Sequence, residues 1–246
     1  MGIIRPVFIA DPAGVKTLDV EFEWEGLSEA SVKNLHNAVL PSLMTNEFDT
    51  VNILEVSGYS PNHNDLGRGL SAFNLYSKRY PSISVESLYQ GSKVFENGKQ
   101  YEDLYGKSSL DAKRDKRLKT SGALVGFNFE GTTWGLNDHF YEWLYLSALL
   151  SGKNNTVAIG IHHYNIFTDI CFGKNSFNCQ AYAVAVYRSA ILGGMDVDEW
   201  LLEKKWHINQ KQTIISKTID VINRTKLNGK DFDLNAMFRR NNDKPK

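Results

Sequence analysis

The sequence has little of the material from which several protein classes are built. Two cysteines, Cys171 and Cys179, stand in 246 residues, too few for a disulfide framework and without the Cys-x-x-Cys spacing of a zinc site. A lone pair in a chain of this size reads as two buried thiols. There is no His-Glu-x-x-His, and the adjacent His162 and His163 cannot both face one ion, so no metal and no cofactor is expected. Ser71, Ser84 and Ser92 lack the elbow motif of a serine nucleophile. No run approaches the roughly 20 apolar residues that cross a bilayer, and the opening MGIIRPVFIADPAG has no basic flank followed by a long apolar stretch. The expected location is the cytoplasm, with no membrane partner, and the sequons at Asn154 and Asn223 read as chance matches. Pro6 stands where a myristoylation signal has Ser or Thr. Lys and Arg total 28, as do Asp and Glu. A net charge of zero excludes a global field toward nucleic acid or anionic lipid, so any contact with nucleic acid must be local.

What is present suffices for one core, with 42% hydrophobic residues. RPVFIA and LDVEFEWEG alternate apolar and polar residues as short strands do, with DPAG as a turn between them. SEASVKNLHNAVLPSL places Val32, Leu35, Val39 and Leu43 at helical spacing behind Ser28 as a cap. A strand at TVNILEVS is followed by GYSPNHNDLGRGLSAFN, whose Gly, Pro, Asn and Asp argue for an irregular loop. A strand is expected at GALVGFNFEG, and helices at DHFYEWLYLSALLSG, NCQAYAVAVYRSAILGG and between Asp196 and Asn223. The fold class is thus a single compact α+β domain, mainly helical, with a small β-sheet. The domain is expected to span residues 1–222, including a β-rich N-terminal extension, with 223–246 as a partly flexible tail.

One stretch is unusual. SISVESLYQGSKVFENG, from Ser82 to Gly98, reads as an amphipathic helix whose Glu86, Gln90 and Lys93 fall at i, i+4 and i+7 and share a face, while Val85, Leu88 and Val94 point to the core. The bland reading is a solvent-facing stripe. Glu86 and Lys93 lie about two turns apart on such a helix, too far for a local ion pair, so mutual stabilisation does not explain them.

SVESLYQGSKVF resembles the signature helix of the NADAR superfamily, in which a Glu near the helix start is followed by an aromatic residue, Gln, a small pair and Lys-Phe. Glu86, Tyr89, Gln90, Gly91-Ser92, Lys93 and Phe95 follow that order, with Val94 directly after the lysine and Ser87 where many relatives have His. LSAFN, Leu70 to Asn74, resembles the Ser-x-Phe element that precedes this helix. KRLKTSGALVGFNFEGTTW, FYEWLYLSAL and FTDICFGKNSFNCQAYA extend the likeness, which runs from Ile53 to Arg188, toward the NADAR branch that serves as antitoxin to DarT toxins.

The resemblance implies a NADAR-type fold and an N-glycosidase that removes ADP-ribose from the guanine amino group of DNA. ADP-ribosylated DNA would be the substrate, ADP-ribose the product and a DarT-type toxin the functional partner. Breaking a glycosidic C–N bond builds positive charge on the ribose and requires a proton for the leaving base, which calls for carboxyl groups. Glu86 and, by resemblance, Asp169 are the candidates; Lys93 offers a second route through a Schiff base. Ser71, Phe73, Asn74, Tyr89, Gln90 and Trp134 are the implied substrate contacts. Gly67 and Gly69 read as a flexible turn that could also present N–H groups to the diphosphate. Lys107, Lys113, Arg114, Lys116, Arg117 and Lys119 read as a solvated face, and are also the best local source of DNA phosphate contacts. Two alternatives stay open: an N-glycosidase of phosphorylated riboflavin-pathway intermediates, suggested by other NADAR relatives, and a non-catalytic module that neutralises a toxin by contact.

Overall fold

The chain opens on a long hairpin. In the computed structural model, which describes residues 2–43, 52–61, 65–77, 79–151, 154–173 and 178–197, strands β1 (Gly2–Asp11) and β2 (Gly14–Glu23) pair antiparallel throughout. Asp11 closes the turn by accepting the Ala13 N–H at 2.9 Å. On its other edge β1 pairs antiparallel with β7 (Ile166–Thr168), and β7 pairs parallel with β3 (Ile53–Glu55), giving the order β2-β1-β7-β3. The expected helices beyond residue 197 and the tail 223–246 lie outside the described residues.

Val7, Phe8, Ile9 and Ala10 are buried in succession because both faces of this sheet are covered. Val7 and Ile9 pack with Val32, Leu35 and Val39 of helix α1 (Glu29–Leu43), whose Ser28 hydroxyl accepts the Ser31 N–H at 3.2 Å. Phe8 and Ala10, one pleat away, join the main core with helices α6 (Phe140–Leu149) and α8 (Gln180–Leu192).

A second sheet, separate from the first, is the antiparallel set β4 (Lys93–Phe95), β5 (Leu124–Phe129) and β6 (Thr132–Gly135). The expectation of a mainly helical domain with one small sheet therefore understates the strands. The α+β class holds, but β3, β4, β6 and β7 are three or four residues each, too short to display a period of two. Both cysteines are free, and only Cys179 is buried; Cys171, expected to be buried as well, is exposed in the turn after β7. No helix among the described residues is long and apolar enough to cross a membrane.

The segment expected to be an irregular loop contains a short helix, α2 (Asp65–Gly69), and Gly67 is not a flexible turn. It is buried against β3 so closely that a Cβ would collide with the Glu55 carbonyl oxygen and the Ser60 hydroxyl. The glycine is required for the approach of helix to strand. Gly67→Ala is accordingly expected to destabilise the fold by about 1–3 kcal/mol, since backbone must move to admit the methyl group. Urea unfolding of both proteins checks this: the midpoint falls with an unchanged m value, whereas an unchanged midpoint would mean that the contact is slack.

Candidate active site

Helix α3 (Val85–Gly91) is short, and every residue of it is buried. Ser84, in extended conformation, caps its start by accepting the Ser87 N–H at 3.1 Å, and the Ser109 hydroxyl from helix α4 (Ser109–Arg114) donates to Ser84 Oγ at 2.7 Å. The end is equally specific. The Ser92 hydroxyl donates to the Leu88 carbonyl at 2.7 Å and meets the Tyr105 hydroxyl at 3.1 Å, while the Tyr105 ring fills the space where a Cβ on Gly91 would lie. The chain leaves the helix there and enters β4.

Two expectations are thereby corrected. The helix does not run from Ser82 to Gly98, and Lys93 is a strand residue rather than the third member of a helical stripe. Nor does α3 have a solvent face, since Glu86 and Gln90 are each only 6% exposed. Lys93 returns toward the helix because it pairs with Phe127 across β4 and β5, and paired residues share a face of the sheet. The Phe127 ring lies 5.3 Å from that of Tyr89, and Lys93 Nζ sits 4.8 Å from the centre of the same tyrosine ring.

The polar groups here are arranged with economy. Gln90 Nε2 donates to Glu86 Oε1 at 2.8 Å, fixing the carboxylate, while Gln90 Oε1 is buried with no hydrogen-bond partner among the described residues. Burial lowers the Lys93 amine from its ordinary range to about 8, with Glu86 opposing the shift and Lys113 adding to it. Asp169 follows β7 and accepts the Cys171 N–H at 2.9 Å; burial, then the neighbouring Glu55, hold its carboxyl well above the usual carboxylate range. The Tyr141 hydroxyl, raised chiefly by burial, is affected by both Glu86 and Asp169. The adjacent Asn178 and Cys179 link α3 to the turn after β7, Asn178 donating to Tyr89 and Cys179 Sγ lying 4.0 Å from Asp169 Oδ2.

The LSAFN segment wraps the start of α3. The Glu86 N–H donates to the Ala72 carbonyl and the Val85 N–H to that of Leu75, both at 2.9 Å. Ala72 N–H donates to Gln180 Oε1 at 3.0 Å, the same amide donates to the Val56 carbonyl, and the Tyr145 hydroxyl donates to the Leu70 carbonyl at 2.5 Å. Ser71 is buried, and Phe73 lies half-buried with Lys113 Nζ 5.0 Å from its ring centre. Asn74 is exposed and its amide donates to the Arg68 carbonyl at 2.7 Å, closing the loop. Tyr89 accepts a hydrogen bond from the Asn178 amide. Trp134 is packed among Phe140 and Trp143, at 5.4 and 5.1 Å, with Phe140 stacked in turn on Tyr89.

Sequence reasoning missed several residues that bear on this site. Lys113, read only as one of a basic run, reaches it from α4, and Glu142 and Tyr141 approach from α6. The signal for α4 was present: Ser108 accepts the Asp111 N–H at 3.2 Å in a Ser-x-x-Asp cap. Within the basic run, Arg117 is occupied by Asp103 and Asp115 at 2.7 and 2.8 Å and lies over the Tyr101 ring, whereas Lys107, Lys113, Arg114, Lys116 and Lys119 are exposed. Among the described residues no group of three or more His, Cys, Asp or Glu is gathered to hold a metal ion.

No curated protein matches the chain. A family model does: that of the DarT1-associated NADAR antitoxin matches residues 3–212, taking in both sheets, the buried α3 with Glu86, the strand with Lys93 and the turn with Asp169. The chain belongs to the DarT1-associated NADAR antitoxin family.

Proposed function

We propose that the protein is an N-glycosidase that hydrolyses ADP-ribose from the exocyclic amino group of guanine in DNA, and thereby acts as the antitoxin of a DarT-type toxin. Membership of the DarT1-associated NADAR antitoxin family supports the antitoxin part of this reading. The observation that carries the catalytic part is the half-buried Lys93, brought by strand pairing to 4.8 Å from the Tyr89 ring on the helix that holds Glu86 and lowered by desolvation to about 8. Holding an amine partly out of water costs stability, and perturbed groups concentrate at functional sites.

The chemistry follows from what each group can do. The guanine N2 lone pair expels the ribose ring oxygen, which takes a proton from Asp169, leaving an iminium at C1″. The fixed Glu86 carboxylate stabilises that positive charge. The neutral Lys93 amine, about one molecule in ten near pH 7 for a group with pKa of about 8, adds to C1″. Its extra proton passes to N2, the C1″–N2 bond breaks, and guanine departs with its amino group restored. Water then adds to the lysine imine, releases ADP-ribose and returns a proton to Asp169. In this reading Gln90 holds Glu86 and offers its buried carbonyl oxygen to a ribose hydroxyl. Ser71, Phe73 and Asn74 bound the sugar and diphosphate with Lys113 as their cation, Tyr89 supplies the wall beneath the amine, and Trp134 supports it through Phe140.

Two experiments test this reading. ADP-ribose release from an oligonucleotide carrying ADP-ribosylated guanine is expected to fall by at least about 100-fold in Glu86→Gln, a change that keeps the Gln90 contact but removes the charge. Unaltered release would remove Glu86 from the chemistry, and protection from the toxin that survives Glu86→Ala with release abolished would turn the reading toward toxin binding. Borohydride is expected to trap an ADP-ribosyl adduct on the wild type and none on Lys93→Ala. The sign of the pH effect follows from both groups: below its folded pKa Lys93 is an ammonium and cannot attack, so trapping rises toward about pH 8, and it falls again at higher pH as Asp169 loses the proton that opens the ribose. Full activity of Lys93→Ala would leave the work to Glu86 and Asp169.

A further inference from the structure

Glu55 has no part in the mechanism above, yet it is the most completely enclosed acid near the site, 1% exposed at the end of β3. By the alternation of the strand it lies on the α1 face of the sheet with Ile53, while Leu54 faces the main core. Its carboxylate collects three donors: the Ser57 hydroxyl at 2.5 Å and the Ile170 N–H at 2.9 Å on Oε1, and the Thr168 hydroxyl at 2.6 Å on Oε2. Thr168 and Ile170 are the two neighbours of Asp169. Behind them, His36 Nε2 from α1 lies 3.0 Å from Thr168 Oγ1. Since the threonine proton is directed to Glu55, its oxygen accepts from His36, which therefore carries its proton on Nε2. Burial brings His36 down to about 4, so the ring is neutral near pH 7 and supplies a dipole rather than a charge.

Asp169 is differently served. Its carboxyl accepts the Cys171 N–H at 2.9 Å and, weakly, the Cys179 thiol at 4.0 Å, with the Phe172 N–H as a further backbone donor, and among the described residues no hydroxyl reaches it at the short distances seen on Glu55. The other ionisable groups that bear on it are Lys113 from α4, Tyr141 and Tyr145 from α6, and the two cysteines. Two carboxyl groups so near each other in a dry interior do not both ionise readily, and the one with the stronger donors takes the charge.

We propose that Glu55 is a positioning residue that keeps the proton on Asp169: held by donors from both sides of Asp169, it carries the negative charge of the pair from behind the sheet and so maintains Asp169 as a neutral acid facing the site. The proposal rests on the reading of Asp169 as an acid of the site, but its chemistry is visible without turnover. Burial raises both carboxyl groups; Glu55 is drawn back by two short hydroxyl bonds and the Ile170 N–H, Asp169 only by the backbone N–H groups of Cys171 and Phe172 and by Lys113. The pair titrates as a unit, and the asymmetry of donors decides which member is charged.

The test is isotope-edited infrared spectroscopy of the unmutated protein near neutral pH, with ¹³C in the carboxyl groups of either aspartate or glutamate. A buried protonated-carboxyl band that shifts with labelled aspartate, and is lost in Asp169→Asn, is expected. A band that moves with labelled glutamate and persists in Asp169→Asn would put the proton on Glu55 and overturn the proposal, as would the absence of any such band. In Glu55→Gln the aspartate band is expected to survive but to titrate away at least about one pH unit lower, because the neighbouring charge is gone. The alkaline limb of ADP-ribose release should move by the same amount with KM little changed. A uniform loss of rate with an unmoved limb would make Glu55 merely structural. If no release is found for the wild type while the band behaves as described, the proton assignment stands and the proposed function fails.

Discussion

A helix buried on every side can hold a glutamate only if the surrounding chain supplies its partners, and much of this fold can be read as meeting that demand. Helix α3 has no exposed residue to carry its polar groups into water. Its first N–H groups are taken by the Leu75 and Ala72 carbonyls, its cap by Ser84, and its glutamate by Gln90 one turn on. The segment that receives those N–H groups is fixed in turn by the Gln180 amide and the Tyr145 hydroxyl, so α6 and α8 act on Glu86 through backbone they do not share with it. Each of these bonds is modest alone, yet leaving a partner unsatisfied in such a place costs more than the bond contributes.

The legible and illegible parts of the molecule divide along a physical line. The β1–β2 hairpin and α1 were readable because their patterns are long enough to show a period and are bounded by a turn and a cap. Strand β3 falls inside the expected TVNILEVS strand, whereas β7 was hardly readable, being three residues long and buried within a sheet covered on both faces. The stretch around Glu86 misled for another reason. Its spacing satisfies a helix through Lys93, but after Gly91, packed against the Tyr105 ring, the chain pairs with β5 instead, a contact no local pattern records. The grouping of Glu86, Gln90 and Lys93 was nevertheless visible, since strand pairing brings Lys93 back to Tyr89 by a different route.

The two carboxyl groups around β7 illustrate how little chemical composition says about role. Glu55 and Asp169 are both enclosed, both near the same threonine, and separated by one pleat of a sheet. The first is held by two hydroxyls and an N–H, the second by backbone N–H groups and a weak thiol contact, and this difference in company, not in acidity of the free side chains, distinguishes them. A reading from sequence could list both acids and had no means of telling the face on which each would lie.

The break between α3 and β4 also changes what sets the distance from acid to amine. Were both residues on one helix, that distance would be a property of helical pitch and insensitive to anything outside it. Here Glu86 is placed by a helix cap and Lys93 by the pairing of β4 with Phe127 on β5. Because side chains alternate along a strand, a slip of one residue in that pairing would turn the amine to the opposite face and leave Val94 beside Tyr89. The separation of the two groups is therefore a quantity of sheet register, and the short bulged ladder that begins at Lys93 works as the gauge of the site.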